Sequence, residues 1–333
     1  MVKIHPIGQD ELPSFVALQG GPDPATALGH GLPSDRLRTL LESSFATGAS
    51  RPEWCLLAEA SDRPIGRVAI VAEPITKRFP LLEHRLVGLW LERWDAPGQA
   101  VGRQLIEAAV QRIERTDAPE PLTLDLRIHS ASAVHRDERI RSAESSGFVM
   151  FQEKQGFVWR DKGQILDPPR GLRILSLTDV GRDAYARVVA DASLDQLDRA
   201  GRHYVDLMGA DRWADGIFEY LTPEDEPSWV YAETLDGQPA GYVAVGSFDE
   251  PATGTIIYIG VVRGQRGKSY GGELLDAAAV AARERGFASI LSDVDTANRP
   301  MLDAMLRNGH DPAIRDWHVW HYRRELRAMH TEA

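Results

Sequence analysis

The sequence predicts an α/β (α+β) protein built from two similar halves, and two internal repeats carry this prediction. Residues 53–70 align without a gap on residues 228–245, and Trp, Pro, Gly, Val and Ala recur in register. Residues 98–109 align on residues 267–278, and in both copies a glycine-containing turn leads into a helix-like segment. Self-similarity of this kind along a chain indicates a duplicated structural unit.

The elements of each half follow from local patterning. Short strands at 2–4 and 172–174 open the two halves, and each 18-residue repeat reads as two strands around a polar turn, for which Asp236-Gly237 is a hairpin signal. In the second half the periodicity predicts, in order, helices at 179–191 and 195–208, strands at 228–235, 240–248 and 254–262, a helix at 269–284, a strand at 288–294, a helix at 299–307 and a closing strand at 316–322.

The boundary between the halves is predicted from two consecutive prolines. Pro168 and Pro169 favour a stiff connection, because proline restricts the backbone and cannot continue a helix. We therefore expect one domain at 1–165, a linker at 166–170 and a second domain at 171–333.

Composition excludes several classes of function. The chain has 333 residues, of which 43% are apolar and 26% charged, as in soluble globular proteins. Its formal net charge of −11 opposes non-specific attraction to nucleic acid and to anionic lipid. The single cysteine, Cys55, excludes an intramolecular disulfide and a cysteine-rich zinc site, and no metal is expected. No signal-peptide pattern and no apolar run of about 18 residues is present, which predicts a cytoplasmic protein without membrane insertion.

One run, from Val261 to Leu275, passes from an apolar strand through a glycine- and serine-rich turn into a helix. The first N–H groups of a helix have no partner within the helix, and glycines let an anion approach them closely. We call residues 262–271 the glycine loop. The candidate ligand-binding residues of this region are Val261, Val262, Gln265, Arg266, Gly267, Lys268, Ser269, Tyr270 and Gly271.

The glycine loop also lies one residue from the phosphate-binding pattern Gly-x-x-x-x-Gly-Lys-Ser/Thr, and Ser292-Asp293 imitates its metal-holding aspartate. Val262 stands in place of the first glycine, which removes backbone freedom needed to wrap a phosphate. Such a loop normally follows the first strand of its domain, whereas this one follows three strands. An ATP- or GTP-binding protein is therefore the less favoured alternative.

With the strand, the loop, the helix and the later Asn298 in view, each half resembles the GCN5-related N-acetyltransferase (GNAT) family, and the pair resembles its tandem members. The family's loop is usually written Gln/Arg-x-x-Gly-x-Gly/Ala. Arg266 and Gly271 match this pattern, and Ser269 replaces the middle glycine. The resemblance implies two tandem GNAT-like domains, each a mixed, mostly antiparallel sheet of six to seven strands flanked by helices.

The resemblance also implies a co-substrate and a reaction. Acetyl-CoA, or another acyl-CoA, would bind with its pyrophosphate on the backbone amides of the glycine loop and its pantetheine arm along the strand that ends at Val262. Asn298 would contact the same molecule. The amine of a small-molecule acceptor would attack the thioester carbonyl directly, and a strand amide near Val261 or Val262 would polarise that carbonyl. The early helices would cover the acceptor, where His203, Tyr204, Trp213, Phe218 and Tyr220 lie.

Two departures from the family affect catalysis. Met305 stands where the family often has the tyrosine that protonates the departing thiolate, and Thr255 stands where some members have a glutamate. Tyr258 and Asp293 are the remaining candidates for moving protons, through ordered water. A tandem protein that binds acyl-CoA without turnover, as a sensor or interaction protein, is therefore an alternative, and a homodimer is left open.

The first half departs further from the family pattern. Pro97, which has no N–H donor, stands where the second half has Arg266, and His129 stands in place of Asn298. Asp95 lies at the approach to the turn, where a carboxylate repels pyrophosphate. The first half is therefore expected to be a degenerate copy, and the second half the working one.

Overall fold

The computed structural model describes residues 1–18, 34–74, 82–116, 123–129, 135–166, 169–220, 228–248, 252–312 and 318–326. Within them the chain divides into two compact units. The first unit takes its described residues from Met1–Ile75, Phe79–Phe151 and His318–Ala333, and the second takes them from Gln152–Trp317.

The first unit is built on a six-stranded sheet with the strand order β1-β2-β3-β4-β5-β12. Neighbouring strands are antiparallel except β4 and β5, which are parallel. The elements are β1 (Lys3–Pro6), α1 (Leu12–Ala17), α2 (Ser34–Thr47), β2 (Cys55–Ala60), β3 (Arg63–Pro74), β4 (Leu82–Leu91), α3 (Ala96–Glu114), β5 (Thr123–His129), α4 (Arg136–Ser145) and β12 (Val319–Glu325).

Helices cover both faces of the first unit's sheet. Leu105, Ile106 and Ala109 of α3 recur at helical spacing and are fully buried in the main core cluster. On the other face, Phe15 of α1 and Leu37 of α2 are buried in a separate apolar cluster with Leu57 and Val71 of the sheet. Each helix buries one apolar stripe, as its periodicity requires.

The second unit has the same plan, with the strand order β7-β8-β9-β10-β11-β6 and one parallel pair, β10 and β11. Its elements are β6 (Val149–Arg160, whose residues from Gln152 belong to this unit), β7 (Leu172–Ser176), α5 (Leu177–Val180), α6 (Arg182–Ser193), α7 (Arg199–Met208), α8 (Ala210–Tyr220), β8 (Ser228–Thr234), β9 (Pro239–Ser247), β10 (Thr253–Val261), α9 (Tyr270–Glu284), β11 (Ser289–Asp295) and α10 (Arg299–Arg307).

The structure confirms the predicted fold class, because each unit holds six mostly antiparallel strands flanked by helices. Trp54 and Trp229, which recur in the repeat, are buried at corresponding places. The early helices of the second unit differ from the prediction. Gly181 and Gly209, both with positive φ, separate α5 from α6 and α7 from α8, so four helices lie between β7 and β8 where two were expected.

The last strand was predicted to close the second half, and this is wrong. β12 pairs with β5 over Val319–Glu325 and belongs to the first unit. The strand beside β11 is instead the Lys154–Arg160 part of β6, from the middle of the chain. A strand pattern shows that a segment is extended but not which sheet edge it joins. Of the predicted linker, residues 167 and 168 lie outside the described residues, and the domain boundaries stay a prediction.

Among the described residues, no helix combines the length and the apolar character needed to cross a membrane.

Candidate functional site

The two parallel strands of the second unit separate along their length. β10 pairs with β11 only from Thr253 to Thr255, after which β10 continues along β9 while β11 continues along β6. The divergence follows a bulge, since Ile257 is an extra residue between Ile256 and Tyr258 in the β9–β10 register. A bulge bends a strand and increases its twist. The result is an opening between the two strands, directed toward the glycine loop.

The glycine loop leaves five consecutive backbone amides without partners in the described part of the chain. The N–H groups of Gly267, Lys268, Ser269, Tyr270 and Gly271 donate no hydrogen bond there, and the next amide, that of Gly272, donates to the carbonyl of Ser269 at 3.1 Å. Ser269 is the N-cap of α9, and its side chain makes no capping bond. The positive end of the helix dipole is therefore presented to whatever binds the loop.

Backbone geometry explains the residue types in the loop. Gly267 has φ +82°, a conformation that glycine adopts without strain. Ser269 has φ +66°, which costs a residue with a Cβ about 1 kcal/mol, and this is the position where the family pattern has a glycine. A Cβ added at Gly264 or Gly267 would meet no atom within 4 Å, so the loop surface is open to a bulky anion such as a pyrophosphate.

Arg266 was predicted to bind the ligand, but its guanidinium is engaged within the protein. It donates to the carbonyl oxygens of Ala192 (2.9 Å), Leu194 (2.7 Å) and Asp195 (3.0 Å), at the end of α6, and to that of Val261 (3.2 Å). A cation at a helix C-terminus is favoured by the helix dipole. Arg266 therefore anchors the glycine loop to α6.

Arg263, which sequence reasoning missed, anchors the same loop from its other side. Its backbone N–H donates to Asp191 Oδ2 at 3.2 Å, and its guanidinium lies 3.4 Å from carboxylate oxygens of Asp191 and Asp195. The signal in the sequence is weak, because the two partners lie about 70 residues earlier.

The side chains of the other predicted loop residues contact neighbouring residues of the protein. Lys268 Nζ donates to Gln265 Oε1 at 2.7 Å, and both side chains lie at the protein surface. The ring of Tyr270 packs against a small apolar cluster with Leu172 and Leu274. The amide of Val262, predicted to polarise a carbonyl, donates instead to Ala240 at 3.0 Å, because it completes the pairing of β9 with β10.

Tyr258 and Asp293, the predicted proton-transfer residues, lie on the two strands that border the opening. Tyr258 contacts Trp213 of α8 edge-on at 6.0 Å, and Trp213 in turn stacks on Tyr204 of α7 at 5.3 Å. Asp293 is 41% exposed and accepts a hydrogen bond from Lys154 Nζ at 2.8 Å. Of the aromatic residues predicted on the early helices, Trp213 contacts Tyr258, Tyr204 and His203 follow it in a chain of ring contacts, and Phe218 packs instead against Tyr185 and Trp229. The side chain of Tyr220 lies outside the described residues.

Asp295, a buried carboxylate that the sequence did not single out, connects the end of β11 to the start of α7 and to β6 through hydrogen bonds. Its oxygens accept hydrogen bonds from the backbone N–H of Arg199 at the start of α7 (2.8 Å), from Gln152 Nε2 (2.9 Å) and from the backbone N–H of Ala297 (2.8 Å). The residue is 3% exposed. It fixes the first turn of α7, and with it Tyr204, relative to the end of β11.

Asn298 lies at the start of α10 and Met305 within it, on the opposite face of β11. Asn298 is the N-cap of α10, and its side-chain oxygen accepts from the N–H of Met301 at 3.3 Å. Met305 is 1% exposed, and its sulfur lies 4.0 Å from the hydroxyl of Ser292. The side chain that replaces the family's tyrosine is therefore part of the core.

The corresponding helix start in the first unit is already occupied by a carboxylate of the chain. Asp95 is the N-cap of α3 and accepts from the N–H of Gly98 at 3.2 Å. A hydrogen bond from Arg93 lowers the pKa of Asp95, so this carboxylate is an anion at neutral pH. A Cβ on Gly98 would collide with the carbonyl of Arg93. The side chain of His129 lies outside the described residues.

Comparison with known proteins relates the second unit to a known family. Residues 195–309 match the model of the acetyltransferase (GNAT) family. A GCN5-related N-acetyltransferase from Sphaerobacter thermophilus has a similar structure, with a TM-score of 0.59, 16% identity and coverage of 98% of this chain and 96% of that one.

A tandem GNAT protein from the clavulanic acid biosynthesis pathway, solved without AcCoA, gives a TM-score of 0.52 at 16% identity and covers 98% of both chains. No curated protein matches by sequence. At these identities the structural likeness concerns the fold. The match of the family model includes the glycine loop, the opening between β10 and β11, and α10, and the chain therefore carries a domain of the GNAT acetyltransferase family.

Proposed function

We propose that the second unit transfers an acetyl group from acetyl-CoA to the amine of a small molecule, with both substrates bound together. The row of five unpartnered amides at the start of α9, directly after the diverging strand β10, carries this proposal. Donors in this arrangement suit a pyrophosphate, and the opening between the strands suits an extended arm that ends in a thioester.

The chain's own residues supply binding and orientation. The anchors Arg263 and Arg266 hold the glycine loop against α6 before any ligand arrives, so little ordering is needed on binding. Tyr258 and Trp213 border the face of the opening that the early helices cover, where the acceptor amine would lie. Holding amine and thioester in contact is itself a large part of the rate enhancement for a direct transfer.

Proton transfer is assigned to groups on the acceptor side. The attacking amine must lose a proton, and we propose that it passes through water held by the Tyr258 hydroxyl to the carboxylate of Asp293. The leaving thiolate receives no proton from Met305, which is buried and has no acidic hydrogen. A thiol pKa of about 8.5 makes the thiolate a tolerable leaving group near neutral pH, so transfer does not require a tyrosine there.

A pair of substitutions at Gly271 tests the binding site. Gly271→Asp places a carboxylate among the open amides, where repulsion of about 4 kcal/mol per charge pair should weaken CoA binding by about 100-fold or more. A Cβ at this position meets only the methyl of Met301, at 3.9 Å, and an acid in the first turn favours the helix. The variant should therefore be at least as stable as the wild type. Calorimetric titration with CoA and urea unfolding measure the two effects.

Gly271→Ala is the matched control, because it adds the same Cβ without the charge. It should stabilise the helix by about 1 kcal/mol and change CoA affinity by less than about 10-fold. Equal CoA affinity in the Asp variant and the wild type would show that the glycine loop is not the CoA site.

The second candidate function, acyl-CoA binding without turnover, is favoured by the buried Met305. Free thiol should be followed while the protein is mixed with acetyl-CoA and a panel of small amines. Thiol release that depends on the amine supports the transferase. Binding of CoA without thiol release in any mixture supports the sensor.

A further inference from the structure

The first unit contains a buried arginine for which the described residues provide no counter-charge. Arg67, on β3, is 3% exposed, and its guanidinium donates to the carbonyl of Phe15 and lies over the Phe15 ring, 5.5 Å from the centroid. Its Nε has no hydrogen-bond partner among the residues that the structure describes. A buried charge that is neither paired nor fully hydrogen-bonded is strongly unfavourable, so such a group calls for an anion.

A second unpartnered donor stands beside it. Trp90 on β4 is the direct cross-strand neighbour of Arg67, so the two side chains share one face of the sheet. The indole Nε1 of Trp90 is buried and has no hydrogen-bond partner within the described part of the chain. Buried indole N–H groups usually find an acceptor. Arg67 Nε and Trp90 Nε1 are thus two neighbouring donors without a described acceptor, on the sheet face that α1 covers.

The acidic groups of this region do not neutralise Arg67. Glu59 and Glu92, further along the neighbouring strands, pair with His5 and Arg63 respectively. Burial raises the pKa of Cys55 to about 12, so its thiol is neutral at pH 7. Burial lowers the pKa of Arg67 only to about 10, so its charge persists.

The repeat shows that the fold does not require these residues. In the second unit the corresponding pair is Tyr242 and Gly260, which are also cross-strand neighbours. Tyr242 fills the space as a buried ring in edge contact with Tyr185. At the same place the first unit has a cation, Arg67, and an indole donor, Trp90. The strand that carries Trp90, β4, also diverges from its parallel partner β5.

We propose that the first unit binds a small carboxylate between Arg67 and Trp90, with its two oxygens accepting from the guanidinium and the indole N–H. A carboxylate suits this pair because it is planar and can accept from both donors at once. The flanking Phe15 ring favours a carboxylate with an apolar body, and benzoate is the probe. The site is independent of acyl transfer in the second unit.

The test uses the full chain and follows thermal unfolding and the indole Nε1–H resonance of Trp90. Benzoate at about ten times its Kd should raise Tm by about 3 °C and shift that resonance, whereas the neutral benzamide should do neither. Arg67→Met should abolish both responses and, without ligand, unfold at the same or a higher temperature than the wild type. Arg63→Met, which removes an exposed arginine from the same strand, should leave both responses intact.

Trp90→Phe keeps the ring and removes the donor, so benzoate should bind about 10-fold more weakly. The proposal is overturned if benzoate leaves the Trp90 resonance of the wild type unmoved, or if it raises the Tm of wild type and Arg67→Met equally. Inorganic phosphate is run in parallel, and a response to phosphate alone would overturn the assignment to a carboxylate.

Discussion

At the scale of single residues, His310 shows how burial sets a pH dependence. It follows Gly309, is 3% exposed, and its Nδ1 has no hydrogen-bond partner in the described segments. Burial lowers its pKa from 6.5 to about 4, so the folded state disfavours the protonated ring. The unfolded chain binds this proton from about pH 6.5 downward and the folded chain only near pH 4. The stability contributed by neutral His310 is therefore complete above pH 6.5 and is lost as the pH falls toward 4.

His310→Phe replaces the imidazole with an apolar ring of similar size and removes the titration. At pH 7 the variant should be as stable as the wild type or more so, because a buried unpartnered nitrogen is removed. At pH 5 the difference in the free energy of unfolding between the variant and the wild type should be about 2 kcal/mol larger than at pH 7, in favour of the variant. Urea unfolding at the two pH values measures this difference. A stability gap that does not change between pH 7 and pH 5 would contradict the assignment.

The glycine loop shows how far individual site residues follow from sequence. The open amides of Gly267, Ser269 and Gly271 could be predicted, because a helix start is a local arrangement, and their role as ligand contacts stays a prediction. The role of Arg266 could not, since its partners are carbonyls at the end of α6, more than 70 residues earlier. Residue type alone does not show whether an arginine faces the ligand or the protein.

At the scale of elements, the position of β12 depends on a buried ion cluster. Arg323 donates to both carboxylate oxygens of Asp125 at 2.7 Å and to Glu83 Oε1 at 2.9 Å. Burial alone would raise the pKa of Asp125, but the hydrogen bonds from Arg323 and His321 outweigh it and keep the pKa below its ordinary range. Together with the pairing of β12 and β5, these charges explain why the last strand lies in the first unit.

Arg323→Met should destabilise the first unit by about 3 to 5 kcal/mol, because it leaves the fully buried carboxylate of Asp125 without its arginine partner, whereas Glu83 keeps its ion pair with Arg127. Combining it with Asp125→Asn should cost clearly less than the sum of the two single substitutions, as coupling between direct partners requires. Urea unfolding of the four proteins gives this cycle.

Arg324→Met is the control for that experiment. Arg324 is the next residue of the same strand, but its partner Glu107 is 41% exposed, so the change should cost about 1 kcal/mol or less. Equal losses for the two arginine variants would show that the buried cluster does not determine where β12 docks.

At the scale of the whole molecule, the duplicated plan could be predicted from the sequence. The placement of β12 in the first unit and of β6 in the second could not. The repeats at 53–70 and 228–245 correspond to β2–β3 and β8–β9, hairpins formed between neighbours in the chain. β12 pairs with β5 across almost 200 residues, and such a pairing is chosen by complementary charges and apolar faces rather than by local pattern. The bulge at Ile257 escaped prediction for a related reason, because it depends on register with β9.

The two units also differ in whether their helix start can accept an anion, and this predicts the number of CoA molecules per chain. Asp95 caps α3 with its own carboxylate and Pro97 offers no N–H, whereas the start of α9 has open amides and no capping side chain. Equilibrium dialysis should therefore give one CoA per wild-type chain and close to none for Gly271→Asp. Two per chain would mean that Asp95 moves aside on binding. If the Gly271→Asp variant still bound one CoA per chain, the CoA site would have to be assigned to the first unit. The reason is that this substitution alters only the helix start of the second unit.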